Sequence, residues 1–150
     1  MSYSTFTVAI KSTLDYEAKK LADSKGLPFV DLAAASFESS VLESDQPAVC
    51  WDFASLQVDP FDPMYTVMFD IGVMTFLDPA QYVSLDIVSM FLDAFQVGRN
   101  FQIFDYSGDE MPTMATGSMH VIASAITPQQ ADRATGLRFV SVTAKVLRNV

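Results

Sequence analysis

From Tyr65 to Phe76 the chain alternates without a break. Tyr65, Val67, Phe69, Ile71, Val73 and Thr75 fall on one side; Thr66, Met68, Asp70, Gly72, Met74 and Phe76 fall on the other. A period of two over twelve residues fits an extended strand, because successive side chains point to opposite faces of a sheet. The first set is almost wholly apolar and marks a buried face. A second run behaves the same way: Arg138, Val140, Val142, Ala144 and Val146 alternate with Leu137, Phe139, Ser141, Thr143 and Lys145. Two such strands require a sheet, and a sheet with an apolar face requires cover.

Two helical segments supply it. Phe6, Ile10, Leu14, Ala18 and Leu21 recur at spacings of four and three, the stripe of an amphipathic helix. Ser4 or Thr5 is expected to cap its start. Gly26 suits the left-handed position after its end, and Pro28 blocks continuation. For the second helix, Asp78 is expected as N-cap, Pro79 as first helical residue and Gln81 as the third position of a capping-box-like start. Tyr82, Leu85, Val88, Leu92 and Phe95 are expected to form its buried stripe, broadened by Ile87 and Phe91, with Gly98 as terminator.

Three further strands are expected: 47–57, where Val49, Trp51 and Phe53 alternate with Cys50, Asp52 and Ala54; Phe101–Tyr106; and Ser118–Ile126. Asp59-Pro60-Phe61-Asp62-Pro63 reads as a loop, short enough to join an antiparallel pair. Residues 107–117 and 128–136 also read as loops. Residues 29–46 mix alanines with serines and receive no assignment. Strands grouped between helices, without strict alternation, favour an α+β fold over a doubly wound one. The expected architecture is a single, mostly antiparallel sheet with two main helices packed on one face, in one domain over residues 1–150.

Of the 150 residues 50% are hydrophobic and only 18% are charged, against roughly 25% charged in an average soluble domain. Little charge is left to cover the outside, which points to surface covered by partners. The formal charge is −9, split as −12 over residues 1–130 and +3 over residues 131–150. Such acidity repels phosphate backbones and disfavours sequence-independent nucleic-acid binding. The asymmetry fits head-to-tail contacts between copies. Cys50 is the only cysteine, so it has no internal disulfide partner and no metal-ligand spacing. The start lacks a basic n-region, and Asp70 and Asp86 interrupt the longest apolar stretches. Neither a secretory leader nor a membrane span is expected, and the chain reads as made in the cytoplasm.

The search for chemistry is sparse. His120 is the only histidine, so any Ser–His or Cys–His site would need it. Asp59 and Asp62 share a loop, where Asp-Pro pairs more often make turns than bind cations. Asp70 interrupts an apolar strand and must face solvent, a partner or a donor. No phosphate-binding or nucleophile-elbow glycine motif is present. Met64, Met68, Met74, Met111, Met114 and Met119 fill a core or form an adaptable contact surface. Trp51 reads as a core anchor. No catalytic, metal-binding or cofactor-binding residue is assigned, and no cofactor or enzymatic activity is expected.

The run Tyr65–Phe76, the start Asp78-Pro79-Ala80-Gln81 with its helix, and the closing run Gly136–Arg148 resemble the tail-terminator (tail-completion) proteins of long-tailed bacteriophages. The resemblance implies a small subunit of a homohexameric ring, placed in the tail or neck of the virion. Such a ring sits on the last ring of tail-tube protein, stops tube polymerisation and offers a surface to the head connector or stopper protein. It implies no catalytic residues, no membrane and no sequence-specific DNA contact, although DNA would pass through an acidic lumen. Another neck or tail ring component, a stopper or a tube protein, is the nearest alternative. A small ligand-binding domain or enzyme is the further one; it would gather Asp70, His120 or the Asp59/Asp62 pair in a pocket.

Overall fold

The two long alternating runs lie side by side. A computed structural model of the protein describes residues 3–31, 47–59, 64–76, 78–128, 130–132 and 135–149. Its elements in chain order are α1 (Tyr3–Ser24), β1 (Phe29–Asp31), β2 (Ala48–Val58), β3 (Met64–Phe76), α2 (Tyr82–Ala94), β4 (Asn100–Ile103), β5 (Gly117–Ile126), β6 (Gln130–Asp132) and β7 (Thr135–Arg148). β3 and β7 pair antiparallel from Met64↔Leu147 to Phe76↔Thr135. They form the centre of one sheet ordered β1-β2-β3-β7-β5-β4, with β6 also paired to β7. Every pairing is antiparallel except β1 with β2. The fold is α+β with a single sheet.

Both helices cover the same face. Tyr65, Val67, Phe69, Ile71 and Val73 of β3 are buried, as are Val140, Val142, Ala144 and Val146 of β7. Phe6 of α1 packs on Tyr65, ring centroids 5.2 Å apart. Phe69 stands edge-on to Phe95, just beyond α2, at 5.3 Å and to Trp51 of β2 at 6.3 Å. Such edge-to-face pairs add to simple area burial. Trp51 is thus the core anchor its strand pattern implied, at 1% exposure. Of the helices described, none is long and apolar enough to cross a membrane.

Several local expectations need correction. α1 already begins at Tyr3, so Ser4 and Thr5 lie inside the helix and do not cap it. Gly26 does take the left-handed conformation, φ 65°. α2 starts at Tyr82, not at Pro79. Gln81 is the residue before it and adopts φ 63°. Asp78 still acts as a cap, from further back: its carboxylate accepts the Ser84 backbone N–H at 3.0 Å, satisfying one helix-start donor. This later start rotates the buried stripe to Ser84, Ile87, Val88 and Phe91, followed by Phe95, and leaves Tyr82 and Leu85 exposed. β4 ends at Ile103, not Tyr106. Residues 130–132, expected in a loop, form β6 against Gln130↔Leu137 and its neighbours. Residues 29–31 form β1, while 32–46 lie outside the described residues.

Candidate functional site

The sheet's second face carries neither helix, and its side chains follow from register. Across five strands the pairs Gln57↔Thr66, Thr66↔Lys145, Lys145↔His120 and His120↔Asn100 form one continuous polar row. The next row pairs Ser55, Met68, Thr143 and Ala123; the one after pairs Asp52, Asp70, Ser141 and Ala125. Met68, Ile122 and Leu147 are 47%, 42% and 44% exposed. Ile122 protrudes because a bulge between Val121 and Ala123 takes it out of register.

Asp59 anchors the polar row. Lys145 donates to its Oδ2 at 2.8 Å, and Thr66 donates to its Oδ1 at 2.9 Å. Lys145 also donates to Thr66 Oγ1 at 2.6 Å. The network ties the end of β2 to β7 across β3. The Lys145 hydrogen bond, then the Thr66 hydroxyl, hold the Asp59 carboxyl below its ordinary 3.8. A depressed carboxyl stabilises the fold above its unfolded pKa and loses that contribution as pH falls through the lower, folded value. The Asp59→Asn variant is therefore expected to unfold at lower denaturant than wild type at pH 6. The gap should close below about pH 4, near the unfolded Asp pKa. A gap that persists unchanged at pH 2 would count against this role. Asp62, the other carboxylate of the expected pair, lies outside the described residues.

His120 is exposed, and its Nδ1 lies 2.8 Å from Asn100 Oδ1. Asp70 is half-buried and accepts the Ser141 hydroxyl at 2.6 Å. It stands directly opposite Asp52, a like-charge juxtaposition that is unfavourable across a strand pair. Asp59 and His120 meet the polar row on either side of Lys145, while Asp70 lies two rows away with Asp52 and Ser141. A shallow groove lined by Ser12, Asp15, Tyr16, Lys19, Phe29 and Tyr106 lies along α1 and contains none of them. Among the described residues, no three of the His, Cys, Asp and Glu side chains cluster as a metal site would.

Two buried polar features escaped the sequence reading. Arg138, 8% exposed, sits on the helix-covered face and donates to Gln81 Oε1. From its left-handed turn, the Gln81 side chain thus serves a buried guanidinium. Cys50 is buried on the other face, beside Gly72 in register, and burial pushes its thiol up to about 11. It is therefore protonated and unreactive near neutral pH. The methionines divide: Met119 is wholly buried, Met74 nearly so, while Met68, Met111 and Met114 are exposed.

No family model matches the sequence. No curated protein matches it either. One solved structure superposes with a TM-score of 0.63 at 10% identity, over 95% of this chain and 96% of its own. At that identity the likeness is one of fold alone.

Proposed function

We propose that the protein is a tail-terminator subunit that closes into a ring, caps a phage tail tube, stops its polymerisation and presents a surface to the head connector or stopper. The observation that carries this reading is the one-sided sheet. Two helices cover one face, while the other presents Met68, Ile122 and Leu147 beside a polar row and an opposed carboxylate pair. Exposed apolar surface rimmed by polar groups marks an interaction face. A neighbouring copy that buries the three apolar side chains would form a heterologous interface, which closes into a ring when its rotation closes.

The acidity of the chain sets how such a ring responds to salt. Copies of charge −9 repel one another at long range, and salt screens that repulsion while leaving apolar burial intact. Light scattering across a concentration series is expected to give about 99 kDa, six times the 16.5 kDa chain. The six-fold mass should appear at lower protein concentration in 0.5 M than in 0.05 M salt. Replacing Met68 and Leu147 by Ser, both on the open face, is expected to raise the concentration needed by tenfold or more. A strict monomer under all conditions, including with added tail tubes, would overturn the reading.

A further inference from the structure

The connection between β4 and β5 is far longer than its geometry requires. The strands are antiparallel neighbours, and Ile103 pairs directly with Gly117. Two to five residues join such a pair in most hairpins; here residues 104–116 do so. Both ends of the loop are fixed. On one side Phe104 donates its N–H to Thr13 Oγ1 at 3.0 Å and accepts from that hydroxyl at 2.8 Å. Tyr106 donates its N–H to Ser12 Oγ at 3.0 Å, and its ring stacks on Tyr16 at 4.2 Å. On the other side Thr116 donates to the Ile103 carbonyl at 2.7 Å, and Asn149 Nδ2 donates to the Ala115 carbonyl at 3.1 Å. The tip between these anchors holds Met111 and Met114, 69% and 78% exposed, next to Asp109 and Glu110.

We infer that this tip is a docking element for a different protein, one that offers an apolar cleft flanked by lysine or arginine. Methionine adapts its shape to irregular apolar surface, and the fixed roots present the tip with little ordering left to do on binding. The acidic flank selects a basic partner. A second copy of this chain fits poorly. Among the described residues, four of the five lysines are already paired within the chain, Lys11, Lys19, Lys20 and Lys145 with Asp15, Asp23, Glu17 and Asp59; Arg99 donates to the Ala94 carbonyl and Arg138 is buried, so a chain of net charge −9 offers a second copy little basic surface. The proposal thus gives the tip one partner and the sheet's open face another.

The inference rests on the terminator reading only for its probe, which is purified tail tubes. Met sulfoxide formation under dilute peroxide would be followed by mass spectrometry. Met111 and Met114 should oxidise fast in the protein alone, whatever its oligomeric state, and at least tenfold more slowly once it is bound to tubes; buried Met119 should stay slow throughout. Met111→Ser with Met114→Ser should keep the wild-type solution mass and lose at least tenfold in tube affinity. Asp109→Asn with Glu110→Gln should flatten the fall of tube affinity with salt, which runs opposite to the salt response of self-assembly. Wild type that binds tubes with both methionines as reactive as before would overturn the docking element and leave the terminator reading standing. Protection in the ring without tubes would make a second copy the occupant and overturn it too. Wild type that fails to bind tubes would overturn both readings.

Discussion

Phe69→Ala is expected to remove about 4 kcal/mol of stability, the middle of the range for truncating a buried aromatic side chain. Phe69 is 2% exposed at the middle of the central strand β3. Its ring is the link between Trp51 on β2 and Phe95 at the end of α2, edge-on to each. Truncation empties the place where the sheet meets the second helix. Neighbours cannot close the gap easily, because Trp51 is held in β2 and Phe95 also packs on Phe101 at 5.4 Å. Domains of this kind have roughly 5–15 kcal/mol in all, so the variant should lie near its unfolding threshold. Its melting temperature should fall by roughly 8–16 °C. Met68→Ala is the internal control. It sits one residue earlier in the same strand, on the open face and 47% exposed, and should change stability by about 0.5 kcal/mol or less. Equal losses for the two variants in urea titrations would mean that the faces of β3 are assigned wrongly.

Gly72→Ala is the second large effect, and it arises from backbone, not from a cavity. A Cβ at Gly72 would collide with the carbonyl oxygen of Arg138 and come within 2.8 Å of the Phe139 Cα. Both obstacles are main chain of β7, the strand paired with β3 along its whole length. Relief requires the two central strands to separate locally. A strand glycine of this kind marks a close approach of two backbones. The expected loss is about 3 kcal/mol, the upper end for overpacking, and Gly72→Val should express mainly as insoluble protein. Gly108→Ala provides the comparison: nothing lies within 4 Å of its added Cβ, so it should be nearly neutral. If thermal melts place Gly72→Ala within a degree of wild type, the close approach of β3 and β7 is not what holds Gly72 in place.

These two substitutions separate what can be read along the chain from what cannot. The burial of Phe69 and the exposure of Met68 follow from period-two alternation, which is local: a strand residue's face is fixed by its parity. The same parity places Val140, Val142, Ala144 and Val146 inside. Gly26 in its left-handed turn and the antiparallel pairing of β2 with β3 were also legible from short-range sequence, and the one-faced packing of both helices followed from the order of the elements. The constraint on Gly72 was not, because it is imposed by a strand nearly seventy residues away.

The candidate interaction face divides in the same manner. That β3 and β7 each have a more polar second face is written in their sequences. That Gln57, Thr66, Lys145, His120 and Asn100 form one row across five strands depends on strand order and register, and so on contacts between distant segments. The start of α2 shows tertiary structure overriding a good local signal. Asp78 and Pro79 favour a helix start there, yet the helix begins at Tyr82, and Gln81, in a left-handed turn, gives its side-chain oxygen to the buried Arg138, as a charge in the interior needs hydrogen-bond partners. The sequence by itself thus determined which side of the sheet each residue of β3 and β7 takes. Tertiary structure decided which outward residues became neighbours, because alternation records a residue's side of the sheet and carries no record of the strand beside it.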